Sequence, residues 1–255
     1  MMIVKVKNAE QVESLFAGWE ETMIWSCLQG VMGEIYAPEG EKPPCAMAIL
    51  GDFSFYAGEV EDELIRFRPK NREGQDFLIM TPRNERWAER IEQCYGEKVR
   101  KVNRYAIQKE PDCFDREKLR EMAERLPEGY TLQRIDERIY DFCGKRDWCR
   151  DLVSQYPDYE TYQKYGLGVV AIKDGEPISG ASSYTSYRGG IEIEIDTHVQ
   201  HRRKGLALAC GARLIQECLD RGLYPSWDAQ NLWSVALAEK LGYHYSHTYT
   251  AYETV

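Results

Sequence analysis

Ile191-Glu192-Ile193-Glu194-Ile195-Asp196 alternates strictly between apolar and acidic residues, and beyond Thr197-His198-Val199-Gln200 it leads into His201-Arg202-Arg203-Lys204-Gly205-Leu206-Ala207. A period of two marks the first segment as a strand with one apolar face. Leu208, Ala212, Ile215 and Leu219 come next at helical spacing, so a helix begins near the glycine. A strand-to-helix turn of this kind leaves backbone N–H groups unpaired at the positive end of the helix dipole, which makes an anion site. Gly205 and Ala207 let a diphosphate approach the backbone closely, and Arg203 and Lys204 add positive charge.

The flanking segments extend this unit. Downstream, Gly222 ends the helix, residues 224–228 read as a short strand, and Asn231 is a good N-cap. Trp233, Ala236, Leu237 and Leu241 mark the apolar face of the next helix, Gly242 ends it, and residues 243–252 form a last strand. Upstream, residues 130–135 alternate as a strand, and two helical stretches are expected around 137–142 and 148–165, the second interrupted by Pro157. Residues 168–172 are a β-branched run, Lys173-Asp174-Gly175-Glu176 is a hairpin turn, and residues 178–187 return. The order is β-α-α-β-β-β-α-β-α-β. The strands at 191–198 and 224–228 are joined by a helix and so should be parallel, in a sheet otherwise antiparallel. A sheet that changes sense there can splay and admit a ligand between the carboxyl ends of the two strands.

At this loop the chain resembles the GNAT superfamily of N-acetyltransferases. Arg202, Gly205 and Ala207 fill the pattern Arg/Gln-x-x-Gly-x-Gly/Ala, and Asn231, Ser234 and Leu241-Gly242-Tyr243 match the downstream Asn-x-x-(Ala/Ser) and Leu-Gly-(Phe/Tyr). The proline that usually closes the preceding strand is absent from Thr197-His198-Val199. The resemblance covers roughly residues 130–255. It implies a mixed, mostly antiparallel α+β sheet flanked by helices, with splayed parallel strands, and acetyl-coenzyme A as co-substrate without a metal. The coenzyme A diphosphate would rest on the N–H groups of Arg203, Lys204, Gly205, Leu206 and Ala207. The pantetheine arm would pair with the strand near His198 and Val199, and a backbone N–H of that strand would polarise the acetyl carbonyl. Asn231 would lie near the pantetheine and Ser234 near the sulfur or diphosphate.

Amine acylation needs a group that removes a proton. Many relatives in the superfamily place a Tyr four residues before the glycine of Leu-Gly-Tyr, where this chain has Ala238. Glu192, Glu194 and Asp196 share one strand face and are the candidate bases, Glu194 first because it sits mid-strand; a solvated strand face is the simpler reading of the same pattern. Tyr184, Tyr243, Tyr245 and Tyr249 are possible substitutes for the absent Tyr. The expected activity is acetyl transfer to a primary amine of a small molecule or protein in a ternary complex. The alternative is a non-catalytic acyl-coenzyme A sensing or scaffold module, which Ala238 favours.

Composition sets the outer bounds. The chain has 255 residues and a formal net charge of −9, which disfavours nucleic acid and anionic membranes as partners and mildly favours a cationic acceptor. Eight cysteines form no C-x-x-C pair, so reduced thiols in a cytoplasmic protein are expected. No apolar run is long enough for a membrane span or signal peptide. His244 and His247 lie three apart on a strand pattern, which points them to opposite faces and argues against a metal site. Gly-x-Ser-x-Gly is absent, so a serine hydrolase is not suggested.

Domain boundaries are expected at 1–109, a connecting helix at 110–129, and 130–255. In the first half, Asn84 leads a helical pattern ending at Gly96, with the strand Tyr105-Ala106-Ile107 after it, echoing Asn231, Gly242 and the last strand. The first half thus reads as a degenerate GNAT-like domain without the basic loop, bracing the sheet and walling the acceptor cleft. Chance similarity of two helix-strand units is the competing reading. The acidic Glu59-Val60-Glu61-Asp62-Glu63 is read as a solvated loop.

Overall fold

Asp174 and Gly175 both adopt positive φ, 50° and 83°, so the hairpin expected from Asp-Gly is formed and fixes the register of the strands on either side. The computed structural model describes residues 2–72, 74 and 77–255. The chain packs as two units: one holds residues up to Arg104 together with Thr248–Val255, the other Tyr105–His247.

The first unit begins with β1 (Ile3–Lys5), α1 (Thr22–Gln29), β2 (Glu34–Pro38), β3 (Cys45–Leu50) and β4 (Phe53–Gly58). It continues through α2 (Asp62–Arg66), β5 (Ile79–Pro82), α3 (Glu85–Tyr95) and β6 (Val99–Ile107). β1 to β4 pair antiparallel in sequence, and β4 pairs parallel with β5. Asn84 caps α3 by accepting from the Trp87 N–H. The core is aromatic and aliphatic: Tyr56, Trp87, Met47, Leu64 and Ile91 are buried together.

The second unit starts with α4 (Arg116–Glu124), then β7 (Tyr130–Arg134), α5 (Glu137–Gly144), α6 (Tyr159–Tyr165), β8 (Gly168–Lys173), β9 (Glu176–Tyr187) and β10 (Gly190–Thr197). It closes with α7 (Leu206–Asp220), β11 (Tyr224–Ser226), β12 (Asp228–Ala229), α8 (Leu232–Lys240) and β13 (Tyr245–Thr254). Its sheet runs β11-β10-β9-β8-β7, antiparallel throughout except for the parallel pair of β10 and β11. Both units therefore repeat one topology, with four antiparallel strands and a parallel fifth. The strand that ends each repeat delivers its tip elsewhere. Tyr105 and Ala106 of β6 pair with β12 in the second unit, and Tyr252 and Glu253 of β13 pair with β5 in the first.

In the second unit α4, α7 and α8 cover one face of the sheet, where Leu119, Ile193, Cys210, Leu214 and Leu241 share a core. The other face carries α5, α6 and a 3-10 turn at Arg150–Leu152. There the Tyr162 hydroxyl lies 2.9 Å from Ser182 Oγ, and the Tyr156 hydroxyl 2.7 Å from Ser183 Oγ. These bonds satisfy Ser182 and Ser183 of β9, which are buried.

Three sequence expectations are corrected. The helical stretch expected at 148–165, interrupted by Pro157, is α-helical only in α6 after the proline, where Asp158 caps it; before the proline there is only the 3-10 turn at Arg150–Leu152. The strand expected at 224–228 divides at Trp227: β11 pairs with β10, while β12 pairs with β6. Trp233, assigned to the buried face of α8, is 78% exposed; Val235, Ala238 and Leu241 make that face instead.

Candidate functional site

β10 is where the sheet parts. Among the described residues only Gly190, Ile191 and Glu192 pair with β11, and β9 carries a bulge opposite the Glu192–Ile193 step. A bulge bends a strand and re-aims the residues beyond it. β10 continues to Thr197 on β9 alone. The His198 N–H donates to Ile178 O at 2.9 Å, which fixes the alternation of the ladder. Ile193, Ile195 and Thr197 consequently turn their backbone groups away from β9, toward the opening.

The side chains of β10 divide by face. Ile191 and Ile193 join the α7 core, so Glu192, Glu194 and Asp196 point to the α5–α6 side. Alternation suggests a solvated face, but Glu192 is 6% exposed, while Glu194 and Asp196 are half-buried. Glu194 Oε1 accepts from the Ile195 N–H at 3.1 Å. Asp196 is pushed up to about 6, first by burial and then by the neighbouring Asp151 charge, against a smaller pull from Arg202. Thr185 Oγ1 and Ser226 Oγ, on the residues paired with Glu192, are buried with no hydrogen-bond partner among the described residues.

The loop after β10 is held by side chains at its entrance. The Tyr130 hydroxyl lies 2.8 Å from His201 Nδ1 and accepts from Lys204 Nζ at 3.4 Å. Arg202 Nε donates to Thr197 O at 3.4 Å. His201 is shifted down, by desolvation first and then by the charges of Lys204, His198 and Lys173. Arg203 and Gly205 both adopt left-handed φ, 64° and 79°. Alternation of this kind turns successive N–H groups into one concavity. Gly205 is the N-cap of the 15-residue α7 and offers no side-chain cap. The backbone N–H groups from Arg203 to Leu208 find no acceptor among the described residues. A Cβ built on Gly205 would meet nothing within 4 Å.

Nearby, His198 Nδ1 is buried without a hydrogen-bond partner among the described residues. Its ring packs edge-on against Trp148. Val199 is exposed. Asn231 Oδ1 accepts from the Ser234 N–H at 3.0 Å as a helix cap, and Ser234 Oγ accepts from Trp227 Nε1 at 3.0 Å. Both side chains of the second motif are thus engaged in shaping the β11–α8 corner. Ala238 is fully buried. Tyr243, one possible substitute for a tyrosine at that position, is buried and donates to Pro225 O at 2.5 Å. The Tyr130–His201–Lys204 contacts have no signal in the sequence, because they join residues 71 and 74 positions apart. Among the described residues no group of three or more His, Cys, Asp or Glu could hold a metal ion.

The parted β10–β11 pair thus leads directly to an uncapped helix start. The chain belongs to the GNAT acetyltransferase family, whose sequence pattern matches residues 13–252 and so runs through both repeats. It is 25% identical over 252 residues to the uncharacterized N-acetyltransferase YdfB of Bacillus subtilis strain 168, covering 91% of this chain and 89% of that one. Among solved structures it is similar to a GCN5-related N-acetyltransferase-like protein from Streptococcus suis. There the identity is 45%, with 98% of this chain and 99% of that one covered and a TM-score of 0.91. A tandem GNAT protein from the clavulanic acid biosynthesis pathway shares the fold at 12% identity, with a TM-score of 0.56 over 100% of this chain and 98% of its own.

Proposed function

We propose that this chain transfers an acetyl group from acetyl-coenzyme A to a primary amine of a small molecule or a protein, by direct attack while both are bound. The observation that carries this reading is the conjunction of the open N–H groups from Arg203 to Leu208 with the edge of β10 that β11 leaves unpaired beyond Glu192. The loop and the N-terminus of α7 would take the diphosphate. Ile193, Ile195 and Thr197 would pair with the amides of the pantetheine as a strand does, the arm replacing the Glu194 carboxylate on the Ile195 N–H and the Arg202 side chain on Thr197 O, and an N–H of this edge would polarise the thioester carbonyl. His198 Nδ1 has the polar capacity to bond the arm. Asn231 and Ser234 would support the corner through their cap.

One carboxylate of the β10 face would take the amine proton. Asp196 is the first choice: its raised value suits a base working near neutrality. Glu194 is second, since the Ile195 N–H already engages its carboxylate, and Glu192 third, since it precedes the parting. Three carboxylates on one face, with Asp151 close to Asp196, favour a cationic acceptor. With a net charge of −9 and eight free thiols, the working place we propose is the cytoplasm, without nucleic acid or membrane as partner.

Buried Ala238, at the position where the superfamily often has its proton-donating Tyr, favours a second reading: an acyl-coenzyme A-binding module without turnover. A library of amines screened with acetyl-coenzyme A and thiol-release detection separates the two. Transfer predicts amine-dependent thiol release; binding of acetyl-coenzyme A with no release by any amine favours the module.

A further inference from the structure

Trp233 breaks the pattern of its own helix. Its spacing on α8 marks it for the core, yet it is 78% exposed, and its neighbour Leu232 is exposed as well. Large apolar groups left outside by a well-capped helix need a physical reason, and departures from local rules gather at functional sites. The indole is not idle: the Arg203 guanidinium lies over its ring, 5.8 Å from the centroid. Arg203 also holds a left-handed backbone, φ 64°, which is uncommon for a residue with a long side chain. The same residue thus lends its N–H to the loop concavity and its side chain to the indole face.

We propose that Trp233 and Arg203 form the subsite for the 3′-phosphoadenosine end of coenzyme A, the indole stacking on the adenine and the guanidinium taking the ribose 3′-phosphate. The inference rests on the diphosphate reading above and extends it. In coenzyme A only a ribose and one methylene separate the diphosphate from the base. A diphosphate seated on the N–H groups that begin at Arg203 therefore holds the adenine within reach of whatever that residue's side chain touches. A flat, exposed indole is a stacking platform for any base, and a guanidinium matches a phosphate by paired N–H donors. The ligand's charge suits a local run of Arg202, Arg203 and Lys204 in a chain that is otherwise acidic.

The test compares three ligands by calorimetry on the whole chain: coenzyme A, 3′-dephospho-coenzyme A and 4′-phosphopantetheine. Trp233→Ala should weaken coenzyme A at least about tenfold and 4′-phosphopantetheine less than about twofold. Trp233→Phe, which keeps a ring and guards against a folding defect, should fall between wild type and Trp233→Ala. Arg203→Gln should weaken coenzyme A at least about fivefold more than 3′-dephospho-coenzyme A, which keeps the diphosphate but lacks the 3′-phosphate; equal weakening of the two would overturn the role of the guanidinium. Equal affinity of wild type and Trp233→Ala for coenzyme A would overturn the subsite, as would equal weakening of all three ligands. A wild type that binds none of the three would overturn the diphosphate reading itself, and the subsite with it.

Discussion

Asp196 is raised to about 6 because its carboxylate is largely withdrawn from water beside another acid, so keeping it ionised costs the folded state. Linkage gives the sign. A carboxyl whose folded value lies above its unfolded one favours folding below the unfolded value, and the advantage is lost as pH rises through about 6. Asp196→Asn should therefore raise stability by roughly 1–2 kcal/mol at pH 7.5 and leave it unchanged near pH 3, where Asp is neutral in both states. Urea unfolding at the two pH values checks this; an equal change at both would contradict it. If Asp196 is the base, the same substitution should also remove a rise of kcat/KM with pH centred near 6.

Helix α7 is tied to the edge of its sheet by one carboxylate. Glu217 is buried and accepts from Arg134 of β7 at 2.8 Å, Arg213 at 2.8 Å and Arg221 at 2.9 Å. Burial pushes its carboxyl up, but the guanidinium bonds outweigh that and hold it below the usual value. A lowered carboxyl contributes stability above its unfolded value and loses it as pH falls through its folded one. Glu217→Gln should cost about 2 kcal/mol at pH 7, with the difference shrinking at acid pH; a Tm unchanged at pH 7 would refute the tie. At this scale the fold was legible where period and punctuation coincide. Strict alternation marked β10, Asp174-Gly175 marked the hairpin, and the Asn231 and Asn84 caps marked the starts of α8 and α3. It was illegible where a tertiary partner decides. Nothing local says that the strand breaks at Trp227 because β12 pairs with β6. Nor does spacing reveal that α8 turns Val235 inward and Trp233 outward.

Across the whole molecule, one topology occurs twice, but its chemistry is not repeated. Where the second unit has Arg-Arg-Lys-Gly before a 15-residue helix, the first has Glu59, Glu61, Asp62 and Glu63 around a five-residue helix. Those charges would repel a diphosphate, so one coenzyme per chain is expected. The echo between Asn84–Ile107 and the C-terminal motif was visible in sequence; the exchange of terminal strands was not, since it depends on pairings across the length of the chain. That exchange makes a prediction. A fragment starting at residue 110 lacks Tyr105 and Ala106, which pair with β12, and leaves Tyr252 and Glu253 without β5. It should be insoluble or lack fixed tertiary structure by near-UV circular dichroism and one-dimensional NMR. A soluble, well-dispersed fragment would show that the second unit stands alone.

The central claim is that the turn from Arg203 to Ala207 receives the diphosphate of acetyl-coenzyme A, and Gly205→Asp addresses it most directly. An aspartate tolerates the left-handed backbone better than most residues, and no atom lies within 4 Å of the position its Cβ would take. The fold should survive while a carboxylate stands where the phosphates belong. Calorimetric titration should show one acetyl-coenzyme A bound per wild-type chain and at least about tenfold weaker binding to the variant. Equal affinity for the two proteins would contradict the account.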